Sequence, residues 1–180
     1  VASSLRTVNA QSAIQDGGHV IIEVADAAGL GTELTAVLDA AHVMARGPKA
    51  FGAVRAAGLD MAEHGGSVVL VSSAAARIGL ANHEAIAAAK AGIEGLALAA
   101  AASYAQKGIR VNCVAPGLTR TPLSSKLWQN DLVAKASAGM HALGRLGAPG
   151  EVASAIGWLL DPEQGWVTGQ VIGVDGGLSR

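Results

Sequence analysis

Gly66-Ser-Val-Val-Leu-Val-Ser-Ser73 is the stretch that decides the fold. Positions 68–71 are apolar without a break, and three of the four are β-branched valines. That is the pattern of a short strand buried on both faces, since a half-exposed strand would alternate with polar residues. Three other segments read the same way: 19–25 (HVIIEVA), 109–114 (IRVNCV) and 170–174 (QVIGV). Helical patterns separate them. One covers 4–15, with Ser3 or Ser4 as a cap. A longer one covers 33–64 and breaks at Gly47-Pro48. A third runs over 84–106, and a fourth over 149–160 with Pro149 in its first turn. Strands that alternate with helices predict right-handed crossovers and an α/β fold, a parallel sheet flanked by helices. One domain over 1–180 is expected.

Composition narrows the function. The chain is 51% apolar with 24 glycines, carries a formal net charge of −1 and has no basic or acidic run. Nothing in it draws nucleic acid or an anionic membrane surface. The most apolar stretch, around 96–102, is short for a bilayer span, with Lys90 and Glu94 just upstream. The lone Cys113 forms no internal disulfide and reads as a core residue. The expected setting is cytoplasmic. Histidines 19, 42, 64 and 141 show no metal-ligand spacing, so no metal is expected. The three tryptophans read as packing residues.

The chemistry-bearing residues lie between positions 73 and 121. Ser73 is followed thirteen residues later by Ile86, and Ile86 four residues later by Lys90. Further on come Gly108-Ile-Arg-Val-Asn-Cys-Val-Ala-Pro116-Gly117-Leu-Thr-Arg-Thr121, then Gly144-Arg-Leu-Gly-Ala-Pro-Gly-Glu151, then Thr168-Gly-Gln-Val-Ile-Gly-Val-Asp175-Gly-Gly177. In their order and spacing these segments resemble the short-chain dehydrogenase/reductase family. The resemblance covers 66–177 and implies a shortened Rossmann-like three-layer fold. It also implies hydride transfer between a nicotinamide cofactor and an alcohol or ketone carbon. In that family a tyrosine gives or takes the hydroxyl proton, and a lysine one helical turn away lowers its pKa. A serine bonds the substrate oxygen, and an asparagine positions a relay water. Serine falls on Ser73 and lysine on Lys90, but the tyrosine position holds Ile86. The asparagine would fall near Ala45 or Arg46, and no Asn occurs between Gly29 and Asn82. Pro116, Gly117 and Thr121 match the loop that touches the nicotinamide, here expected to be vestigial. Residues 122–142 resemble the family's substrate lid and equally fit an ordinary amphipathic helical pair.

The glycine-rich turn that holds the pyrophosphate is also missing. Asp26-Ala-Ala-Gly29 weakly resembles the family's Asn-Asn-Ala-Gly turn. Gly29-Leu-Gly31 is a lone Gly-x-Gly, too near Ser73 for the intervening strands. The nucleotide half is either lost or lies on residues outside this sequence, and strand 19–25 is expected to become an exposed edge. The expected role is therefore a degenerate, non-catalytic subunit with no cofactor of its own. Its partner would be a complete dehydrogenase carrying NAD or NADP, joined through helices 37–62 and 84–106 in a hetero-tetramer. Two alternatives stay open. One is an active oxidoreductase in which His83 or a water replaces the tyrosine; the other is a homo-oligomeric ligand-binding module. Ser73 and Lys90 as a nucleophile pair, and both as remnants with Lys90 reaching solvent, are the other readings of those two side chains.

Overall fold

The computed structural model describes residues 50–180 together with two short strands, β1 (Thr7–Val8) and β2 (His19–Ile22). The described chain continues with α1 (Ala50–Asp60), β3 (Gly66–Val71) and α2 (Glu84–Tyr104). After β4 (Ile109–Pro116) come the short α3 (Ser125–Trp128), α4 (Asp131–Met140), α5 (Pro149–Leu160) and β5 (Val171–Val174). All five strands are parallel and lie in chain order, β1-β2-β3-β4-β5.

Period-2 alternation along the central strands builds two cores. Val68 and Leu70 of β3, with Ile109, Val111 and Cys113 of β4, face α1 and α2, where Val54, Met61, Ile93 and Ala97 meet them. Val69 and Val114 face the other way, against Leu159 and Leu160 of α5. Each such fully buried side chain contributes roughly 1.5–3 kcal/mol. Polar groups between the layers are paired. Ser67 Oγ and Arg110 Nη1 both donate to the Leu159 carbonyl, and Arg110 Nη2 donates to that of Asp161, closing the C-terminal end of α5. Burial lowers the Arg110 pKa, and Asp161 partly offsets this. Asn112, fully buried, donates to Val167 O and accepts from Gln170 N–H, which sets the approach of β5.

The expected strands and the helices at 84–106 and 149–160 are present within a few residues, and the second half of the 33–64 pattern is α1. Four expectations are corrected. Residues 7–8 are strand, not helix, because Thr7 and Val8 pair in parallel with Ile21 and Ile22. For the same reason 19–22 is no edge: it is paired on both sides. Trp166 is 99% exposed, not packed into a core, and Trp158 is half-exposed. Glu84–Lys107 is long and apolar enough by length and composition to cross a bilayer. Its Ile93, Ala97 and Ala100 nevertheless pack on the sheet, and its Lys90 and Glu94 bond to the end of β3. The turns at 26–31 and the asparagine position at 45–46 lie outside the described residues.

Candidate functional site

Parallel sheets place ligand sites beyond the C-terminal ends of their strands, and the sequence-selected residues gather there. At the end of β3, Ser72 N–H donates to Val114 O at 2.8 Å and so extends the ladder by one bond. Ser73 then caps a short 3₁₀ turn, Ala74–Ala76, its Oγ accepting from Ala75 N–H at 3.2 Å. The chain loops over Arg77 to Asn82, whose φ of 62° lies in the left-handed region. His83 stands at the N-cap of α2 with no side-chain cap bond, its Nδ1 2.9 Å from Ala81 O. Ile86 follows in the first turn, and Lys90 sits one turn further along the same face.

Lys90 does not reach out to solvent, as one reading expected. Its Nζ donates to Val71 O at 3.1 Å, which ties α2 to the strand that delivers Ser73. Sequence reading missed the rest of this cluster. Buried Ser72 donates to Glu94 Oε1 at 2.9 Å, with Lys90 O also within reach at 3.0 Å. Arg77 Nε pairs with Glu94 at 3.3 Å, and Arg77 Nη2 donates to Val171 O at 3.0 Å. Strand β3, helix α2 and strand β5 thus meet through one carboxylate. The neighbouring Cys113 thiol is pushed up to about 12, chiefly by burial, so it is no nucleophile near neutral pH.

β4 ends at Pro116, and Gly117 N–H donates to Val174 O. A Cβ on Gly117 would lie 2.7 Å from His141 Nε2 and 3.0 Å from the Asp175 backbone, so no larger residue fits. Thr121 is drawn into the following turn, its N–H donating to Ser124 Oγ at 3.1 Å while its carbonyl accepts from Trp128 Nε1 at 2.8 Å. A cavity of about 240 Å³ opens beside this loop, lined by Gly117, Thr119, His141, Arg145 and Asp175. Ser73, Ile86 and Lys90 do not line it. Burial favours the neutral form of Asp175, but bonds from the Ser179 hydroxyl and from the Ser179 and Gly177 N–H groups outweigh this and hold its carboxyl below the usual range. No group of three metal-ligating side chains occurs among the described residues.

A parallel sheet, this strand-end cluster and the loop after β4 define a class of protein. A family model described as enoyl-(acyl carrier protein) reductase matches residues 8–179, and the chain belongs to the short-chain dehydrogenase/reductase family. It is 42% identical over 116 residues to the cyclohexanol dehydrogenase of Acinetobacter sp. (strain SE19), which covers 64% of this chain and 44% of that protein. It is also 42% identical over 116 residues to the 3-oxoacyl-(acyl-carrier-protein) reductase FabG of Thermotoga maritima, covering 64% and 46% of the two. Among solved structures, the acetoin dehydrogenase of Enterobacter cloacae matches with a TM-score of 0.69 at 29% identity, over 89% of this chain and 63% of that one. The angucycline C-6 ketoreductase LanV, solved with bound NADP, matches with a TM-score of 0.66 at 28% identity, over 72% and 49%. The chain spans about half the length of the curated relatives it matches.

Proposed function

We propose that this chain is a non-catalytic member of its family, acting as a subunit beside a complete NAD(P)-dependent dehydrogenase. The observation that carries the reading is the hydrocarbon side chain at Ile86, one turn from Lys90. Hydride delivery to a ketone carbon leaves an alkoxide that needs an acid within hydrogen-bond reach. Isoleucine has no proton to give, and Ser73 Oγ accepts from the Ala75 N–H. General acid–base catalysis is worth about 10²–10⁴-fold, so its loss leaves little turnover.

The nicotinamide cofactor that the family implies finds a poor fit among the described residues. In the loop after β4, Leu118 N–H is taken by His141, Thr119 O by Ser124, and Thr121 N–H by Ser124 Oγ. Several polar groups that could meet a carboxamide are thus engaged within the chain.

Support for a partner comes from the outer face of α1 and α2. Phe51 and Leu59 of α1 and Leu98 of α2 are exposed apolar side chains, and Gly95 of α2 has open space around it. Such a face suits helix-on-helix docking. The partner's substrates would be alcohols or ketones of the kind in the relatives' names, cyclic or acyl-chain. The relatives' dehydrogenase and reductase names favour a second reading, an active oxidoreductase with another proton source. His83 is the nearest candidate, but it precedes the helix and lies against Ala81 O.

The test is native mass spectrometry of the chain purified from its own host, with nicotinamide oxidation assayed in parallel. A second, longer dehydrogenase chain at equal stoichiometry, with turnover confined to the complex, is expected. Ketone reduction by the isolated chain would overturn the proposal.

A further inference from the structure

We propose that residues 122–142, the counterpart of a mobile substrate lid, are latched in this protein, with His141 as the positioning residue that holds the latch. The inference does not depend on whether the chain turns over. The lid is weakly packed. Neither α3 nor α4 buries a single residue, and Leu132 of α4 is 82% exposed. Apolar burial does not hold this segment down. Directed bonds at its two ends do.

At the first end, Trp128 Nε1 donates to Thr121 O at 2.8 Å, and Ser124 Oγ bonds to Thr119 O. At the second, His141 is 4% exposed, with its ring between two single-role partners. Ser137 O can only accept, so the Nδ1 that lies 2.7 Å from it carries the proton. Leu118 N–H can only donate, so Nε2, 3.2 Å away, is bare. The ring is therefore neutral, in one tautomer, and ties the exit of α4 to the loop after β4. Glycines make the seat: a Cβ on Gly117 would strike Nε2, and Gly176, at φ 58°, lies against the His141 Cβ. Leu143 N–H adds a bond to Gly176 O just beyond. Both lid ends are bolted to residues 118–121 and 176, the ground a lid must leave in order to open.

Limited trypsin digestion tests this, because Lys126 and Lys135 are exposed on the lid and Arg55 is exposed on α1 as an internal control. Loss of one ordinary hydrogen bond raises an open population about fivefold, and cleavage of a transiently open segment follows that population. His141→Ala is expected to speed cleavage at Lys126 and Lys135 by at least that factor, with Arg55 unchanged. His141→Gln, which restores an acceptor toward Leu118 N–H, should return cleavage close to the parent rate. In the parent, ¹⁵N imidazole shifts should report a protonated Nδ1 and a bare Nε2. Should the alanine variant not fold, Trp128→Phe removes only the indole donor and should speed cleavage at Lys126 about fivefold. Unchanged cleavage in these variants, a glutamine variant as loose as alanine, or the opposite tautomer would each overturn the latch.

Discussion

At the scale of single residues, the proposed role turns on position 86. A phenol one turn from Lys90 would share that lysine's field and could be tuned to titrate near neutrality. Isoleucine instead offers a half-buried apolar surface. Lys90 meanwhile bonds to Val71 O, and Ser73 caps the turn at 74–76. The proposed role makes a direct claim about substitution. Ile86→Tyr is expected to leave ketone reduction by the isolated chain at background, followed as nicotinamide oxidation, because the tyrosine would join a site whose other groups are engaged elsewhere. A gain of about 10²-fold or more, the low end of what a placed acid supplies, would instead identify a site complete but for one hydroxyl.

At the scale of elements, helix α5 carries the clearest pH dependence. Ala148 stands at its N-cap without a side-chain acceptor, so capping falls to Glu151, which accepts from Ala148 N–H at 2.8 Å. Arg145 pairs with the same carboxylate through both terminal nitrogens, at 2.6 and 2.9 Å. The Arg145 bond, with help from the Ala148 N–H, pulls the Glu151 carboxyl down from 4.5 to about 2. A depressed carboxylate pKa favours the folded turn in full above the unfolded value, and the benefit fades as pH falls toward the folded one. The turn at 144–151 is therefore expected to loosen between about pH 4.5 and pH 2. A carbon-13 NMR titration of the Glu151 carboxyl should place its midpoint near the lower figure, and Arg145→Gln should carry it back toward the ordinary range. These elements also show how far sequence patterns reach. Residues 149–160 were legible to the residue because Pro149 starts the helix and the apolar period runs unbroken to Leu160. β3 was legible as an apolar run, and β4 by its β-branched Ile109, Val111 and Val114 despite Arg110 and Asn112. Thr7–Val8 was not, since two residues of strand carry no period and the parallel pairing with Ile21–Ile22 decides them. Ser73 and Lys90 stood out by spacing. Ser72, Arg77, Glu94 and His141 did not, because their roles arise from contacts across the fold that no local pattern encodes.

At the scale of the whole molecule, the described helices on both faces of the sheet leave apolar side chains exposed. On one side, α5 buries Leu159 and Leu160 and leaves Trp158 at 46% exposure. On the other side, α2 buries Ile93, Ala97 and Ala100 but leaves Leu98 at 53% exposure, and α1 leaves Phe51 and Leu59 exposed. Only 28% of the most apolar window of Glu84–Lys107 is buried, so under the proposed role a second helix pair would remove further apolar surface from water. Surface substitutions away from packed features usually change stability by less than about 0.5 kcal/mol, whereas central interface residues often cost 2 kcal/mol or more in binding. Leu98→Glu separates these two cases. The variant is expected to keep its circular dichroism and melting temperature while its affinity for the proposed partner subunit falls by about 30-fold or more, read by sedimentation or native mass. A charge tolerated there with assembly intact would place the interface elsewhere, and the exposed Trp158 and Trp166 beside β5 would become the next surface to test.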